Sequence, residues 1–215
     1  MTSTWDKNDL RTALLRYDKK AIKQMADDDT ARRGFPAFVH DLLVPVLEEI
    51  GDAWTTGDAA LSQIYLSGKV SEELFTEHLA EMPAHEVIDA RIGILTLEDH
   101  HTLGKRIVSA LVRSHGYNLL DMGSGICYLE AAERTLREGI DILLVSVLMY
   151  PSARKVENLK AELLKQGMKT RLLVGGAPFN MDESLWMSVG ADAMGKTAYA
   201  GIGILNMWLK EEILL

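Results

Sequence analysis

A single cysteine, Cys127, stands in this chain of 215 residues, which excludes an internal disulfide and any zinc or iron-sulfur site built from several thiolates. Positive charge is also short: 23 Lys and Arg face 31 Asp and Glu, for a formal net charge of -8. A nucleic-acid partner is therefore disfavoured, because phosphate binding needs a basic face. Long apolar runs are missing as well. The longest, 140–150, falls well short of the roughly 20 residues that cross a bilayer, so no membrane helix and no membrane partner are expected. The first residues carry no basic segment followed by an apolar one, and nothing marks the chain for secretion, so the expected location is cytoplasmic. No internal repeat and no low-complexity segment interrupts the chain. What is present is 47% apolar residues, enough for an ordinary globular core.

Periodicity changes near residue 85. Before it, apolar residues recur at helical spacing, and four helices are predicted. The first covers 6–16, and a second starts behind the capping candidate Asp18 and closes at Gly34. A third begins at Pro36, carries one stripe from Val39 to Trp54, and should kink at Pro45. Gly57-Asp58 starts a fourth, with Leu61, Ile64, Tyr65, Gly68, Phe75 and Leu79 on one stripe. Four helices with short loops predict an antiparallel bundle over 1–84, with 83–90 as linker. Over 85–215, predicted strands at 91–96, 117–122, 140–147, 170–174 and 191–194 alternate with helices at 103–114, 127–137, 152–166, 182–189 and 198–209. That alternation predicts an α/β fold, a doubly wound parallel sheet of flavodoxin-like or Rossmann-like type. Such sheets bind ligands beyond the carboxyl ends of their strands, which directs attention to the loops starting at Leu97, Gly123, Leu148 and Gly175.

The first of these loops reads Glu98-Asp99-His100-His101-Thr102-Leu103-Gly104. An acid two residues before a histidine can hold one imidazole nitrogen and leave the other for a metal, although exposed loop histidines behind a capping Asp99 would look the same. Ser146 closes an otherwise apolar strand and brings a hydroxyl to the ligand-binding edge, with Leu148 and the capping candidate Ser152 following. Gly175-Gly176 after the next strand lets backbone approach a ligand closely, or simply makes a turn.

Taken together, Asp99-x-His101-x-x-Gly104, Ser146-x-Leu148 and Gly175-Gly176, in that order at three strand ends, resemble the signature of cobalamin-binding domains. The helical segment is similar to the bundle that caps the corrinoid in methionine synthase and in small corrinoid proteins of methyltransferase systems. Lys105 and Gly190-Ala191-Asp192-Ala193 add smaller matches, so the resemblance covers nearly the whole chain. It implies that His101 is the lower axial ligand of cobalt and that Asp99 accepts a hydrogen bond from the other imidazole nitrogen. Ser152 would extend this relay, so that a proton can be supplied when the histidine lets go of the metal. Ser146 and Leu148 would line a slot for the nucleotide tail, Gly175 and Gly176 would form its wall, and Gly104 would keep the loop clear of the corrin. The helical unit would shield the upper corrin face, with Trp54 and Tyr65 as candidates to lie over it.

Without room for substrate-activating domains, the chain resembles a corrinoid carrier, a component of a methyltransferase system rather than a complete enzyme. It would shuttle methyl groups from a substrate-specific methyltransferase to an acceptor methyltransferase using tetrahydrofolate or a thiol, and be restored by a corrinoid-reactivating reductase. A cobalamin-binding subunit of a mutase and a cobalamin-dependent sensor are alternatives. So is a cofactor-free flavodoxin-like interaction module. The Gly123-Ser124-Gly125 segment departs from the family pattern, which often has an acid or polar residue there, as does the bulky Tyr150.

Overall fold

Asp6 opens the first helix because its carboxylate accepts from the N–H groups of Asn8 and Asp9 at 2.8 and 2.9 Å. The Asp9 carboxylate returns the favour to the Asp6 N–H at 3.1 Å, a reciprocal cap on two otherwise unpaired donors. The structure, a computed structural model, describes residues 5–79, 88–115 and 117–213. The chain folds as two compact units, Met1–Pro83 and Ala84–Leu215. Residues 83–87 of the expected linker lie outside the described residues.

In the first unit, α1 (Lys7–Leu15) is followed by α2 (Lys19–Arg33), capped by the Asp18 side chain and closed at Gly34, whose φ of +85° suits glycine. The third helical run is not one kinked α-helix. It consists of α3 (Phe35–Phe38), a π-helical turn at Val39–Leu43, and α4 (Val44–Thr55). Pro45 has no N–H to give to the carbonyl four residues back, and the wide turn just before it, with the Val44 N–H reaching Val39, absorbs the defect. The unit ends in α5 (Leu61–Leu79). Leu10, Leu14, Ile22, Phe38, Leu43, Ile50 and Phe75 form its buried interior, with the Phe35 ring set edge-on to Phe75 at 5.2 Å.

The second unit is a five-stranded sheet, parallel throughout, in the order β2-β1-β3-β4-β5. Its strands are β1 (Ile88–Leu97), β2 (Tyr117–Ile126), β3 (Ile142–Ser146), β4 (Arg171–Gly175) and β5 (Ala193–Gly195). The intervening helices are α6 (Leu103–Ser114), α7 (Tyr128–Glu138), α8 (Tyr150–Lys165), the short α9 (Ala177–Met181) and α10 (Leu185–Ser188), and finally α11 (Ala198–Ile213). On one face Leu95, Leu97, Leu143, Val145, Val147 and Val174 pack with residues of α7 and α8. On the other, Ile92, Ile94, Ile142, Leu144 and Leu173 pack with α6 and α11. Burial on both faces explains why the strands read as unbroken apolar runs.

Two expectations need correction. The helix read at 182–189 is present only as the shorter α10, and a further short helix, α9, starts directly after Gly176. The loop expected to start at Gly123 is strand: β2 continues to Ile126 and pairs with β1 up to Leu97, with register shifts where Gly123 and Gly125 take φ of +97° and +70°. Only the glycines let this bulged strand keep its pairing. Because β1 lies between β2 and β3, the sheet reverses its direction of growth there, and the loops after β1 and β3 diverge over a crevice.

Candidate functional site

At that crevice Asp99 ties three strand ends together. Its side chain is buried, 4% exposed. Oδ1 accepts from the His101 N–H at 2.8 Å, and Oδ2 accepts from the N–H groups of Leu148 and Met149, after β3, at 2.9 and 3.3 Å. The Asp99 carbonyl accepts from the Gly125 N–H of β2 at 2.7 Å. Glu98 before it adopts a left-handed φ of +55°, its N–H held by the Ile126 carbonyl at 3.0 Å. A non-glycine residue tolerates that conformation only when its surroundings fix it.

The anchored carboxylate sets the orientation of His101. Nδ1 lies 3.2 Å from Asp99 Oδ1, so the proton belongs on Nδ1 and the Nε2 lone pair is free. The imidazole is 57% exposed, so that lone pair can meet a ligand from outside. No group of three or more His, Cys, Asp or Glu gathers into a metal site among the described residues. A metal held by His101 must therefore bring most of its ligands with it, as the cobalt of a corrin does. Exposed Leu148, Met149 and Tyr150 add an apolar rim at the same edge.

Ser152 does not make the expected contact with Asp99. Helix α8 starts two residues earlier, at Tyr150, which places Ser152 in the first turn with its hydroxyl donating to the Glu98 carbonyl at 3.4 Å. The partners Asp99 uses instead are backbone groups of Leu148 and Met149, invisible to any search by side-chain type. Leu148 thus serves through its N–H, with its side chain at the exposed rim. The His100 ring lies against Gly125, where a Cβ would collide with it.

The last rung of the sheet on the α6/α11 face differs from those below. Register aligns Ser124 with Thr96, Thr96 with Ser146, Ser146 with Gly175, and Gly175 with Gly195. On β1, β3 and β4 hydroxyls and a glycine therefore replace Ile94, Leu144 and Leu173, found two residues back. Helices close over this row on glycine: a Cβ at Gly104 would meet Ser146 Oγ at 3.1 Å, and one at Gly195 would meet Gly201 of α11 at 3.1 Å. Gly176 turns the chain at φ +121° where a Cβ would collide with the Val147 carbonyl. This cradle of missing side chains is where a flat, partly polar group fits. Lys105, buried on α6, pairs with Asp121 of β2 at 2.5 Å. Burial pushes the Asp121 carboxyl up, but the Lys105 and Gly123 hydrogen bonds and the nearby cations outweigh it and hold it below the usual carboxylate value.

Tyr65, one of the two aromatic candidates in the helical unit, stands exposed on α5 with the Lys69 ammonium 5.9 Å from its ring centre. The Trp54 side chain lies outside the described residues.

This chain belongs to the B12 binding domain family. Residues 92–202 match that domain, and residues 7–79 match a second family of the same description. Cobalamin is accordingly its cofactor, and the cofactor-free alternative falls away. The chain is similar to a corrinoid protein of Desulfitobacterium hafniense, 29% identical over 213 residues that span 90% of this chain and 96% of that one. It is also similar to monomethylamine corrinoid protein 1 of Methanosarcina acetivorans, 28% identical over 166 residues covering 73% and 75% of the two chains. Among solved structures, the monomethylamine corrinoid protein of Methanosarcina barkeri shares the fold at a TM-score of 0.75, with 22% identity over 92% of this chain and 96% of that one. Among the described residues no helix is long and apolar enough to cross a membrane.

Proposed function

We propose that this chain is the corrinoid carrier of a methyltransferase system, with His101 as the residue that would hold the cobalt. The observation that carries this reading is the imidazole turned outward by an anchored carboxylate, 3.2 Å from Nδ1. Cobalamin, when bound, supplies a cobalt that accepts and gives up a methyl group. The chain's own task is to hold it. Asp99 holds the ring through Nδ1, which leaves Nε2 turned outward, and it would be the group with which the imidazole shares its proton. Ser152 acts one step away, fixing the loop through the Glu98 carbonyl. Ser146, Gly175, Gly176 and Gly104 leave the space in which the nucleotide tail lies.

The partner of this carrier is a methyltransferase specific for a small methylated compound such as methanol or a methylamine. The naming of the relatives as monomethylamine corrinoid proteins supports that class, as does the shared fold with a solved methanol:cobalamin methyltransferase complex, at a TM-score of 0.50 and 19% identity. An acceptor methyltransferase that uses tetrahydrofolate or a thiol, and a reactivating reductase, complete the cycle.

The test is the visible spectrum of the protein after incubation with hydroxocobalamin and desalting, compared with His101→Ala. Wild type should retain colour and show imidazole coordination. The variant should keep much of the cofactor through its tail and corrin contacts, yet lose that coordination. An unchanged spectrum in the variant removes His101 as ligand, and a folded but colourless wild type removes the carrier function.

A further inference from the structure

Thr96 was not singled out by any motif, yet it occupies the middle of the hydroxyl and glycine rung. It alternates with Ile92 and Ile94, both packed against α6 and α11, so its side chain points to that same face. Its registered neighbours are Ser124 on β2 and Ser146 on β3, and Ser146 is the residue that Gly104 approaches from α6. Thr96 is 0% exposed, and its Oγ1 has no hydrogen-bond partner among the described residues. Two other buried hydroxyls in this unit are satisfied locally, Thr135 Oγ1 donating to the Ala131 carbonyl at 2.7 Å and Thr170 Oγ1 to the Ile140 carbonyl at 2.9 Å, while Ser109 Oγ on α6 is, like Thr96 Oγ1, without a partner among the described residues. A buried hydroxyl without a partner is costly, and valine would fill the same strand position without that cost.

We propose that Thr96 is a cofactor-recognition residue, its hydroxyl hydrogen-bonding a polar atom of the nucleotide tail of cobalamin where the tail enters between the sheet and α6. This rests on the cobalamin reading above and adds to it which part of the cofactor the residue senses. Thr96 therefore discriminates a complete corrinoid from one that lacks the nucleotide.

The test compares binding of cobalamin and of cobinamide, the same corrin without the tail, to the full-length apo protein by fluorescence quenching. Wild type, Thr96→Val and Thr96→Ser are measured. Thr96→Val should bind cobalamin about tenfold more weakly, the effect of one lost hydrogen bond, and bind cobinamide as wild type does. Thr96→Ser, which keeps the hydroxyl, should retain most of the discrimination, and it carries the comparison should the valine variant not fold. Equal weakening toward both ligands, or none toward cobalamin, would overturn the proposal while leaving the carrier function standing. So would a wild type that binds the two equally. A wild type that binds neither overturns the cobalamin reading itself.

Discussion

The two faces of the sheet are built to different ends. Toward α7 and α8, apolar residues run to the strand ends and beyond, through Leu97, Val147 and Val174. Toward α6 and α11 they stop one rung early, at Ile94, Leu144 and Leu173, and Thr96, Ser146 and Gly175 take over. One face is thus filled throughout, while the other gives up its last layer of packing for space and hydroxyls. The filled face should carry stability without touching the cofactor. Leu143, fully buried against α7 and α8, tests this: Leu143→Ala should cost about 3 kcal/mol in urea unfolding of the apo protein, by lost transfer energy and the cavity left behind. Cobalamin affinity of the folded variant should be unchanged. An affinity loss comparable to that of a variant in the last rung would mean that the two faces are not separate in role.

The asymmetry explains what could be read in the sequence. Buried parallel strands appear as apolar runs and the helices between them as amphipathic ones, so element order and sheet class were legible. Asp99, His101, Ser146 and the glycine pair stood out by residue type, and the structure sets them at the ends of β1, β3 and β4; their part in holding cobalamin is the reading proposed above. Three features were not. Gly123-Ser124-Gly125 has turn composition and reads as a loop, yet pairing with β1 keeps it in the sheet. The backbone donors that anchor Asp99 have no residue-type signal. Thr96 counts as a good strand former, and only the register, which sets it between Ser124 and Ser146, marks it out. Its alternation with Ile92 and Ile94 was the available clue.

The α6/α11 face also contains the ion pair of buried Lys105 with Asp121. Asp121→Asn leaves the buried ammonium without its carboxylate and should cost about 1–2 kcal/mol, a value kept small because Asp121 is 43% exposed. The pH dependence has a definite sign. A carboxyl held below its ordinary value of 3.8 contributes stability that is fully present above that value and is lost as pH falls through the lower folded-state value. Urea midpoints should therefore fall more steeply for wild type than for Asp121→Asn in the acid range below about 3.8. Parallel curves would show that the pair contributes nothing to the folded state.

The sharpest separation of the two roles is expected from the smallest change in stability. Gly104 lies in the first turn of α6 without a left-handed φ, so alanine there is conformationally acceptable and gains helix propensity of up to about 1 kcal/mol. Its Cβ would lie 3.1 Å from Ser146 Oγ, a tight contact that a small hydroxyl rotation can relieve while the space is free. Gain and crowding oppose each other, and apo stability should change by less than about 1 kcal/mol. With the nucleotide tail present the hydroxyl has nowhere to turn, so cobalamin binding should weaken well beyond that stability change. Binding of cobinamide, which does not enter the slot, should weaken less. If Gly104→Ala bound both corrinoids as wild type does, the close approach of α6 to Ser146 would be packing alone, and the open rung would have to be entered from another side.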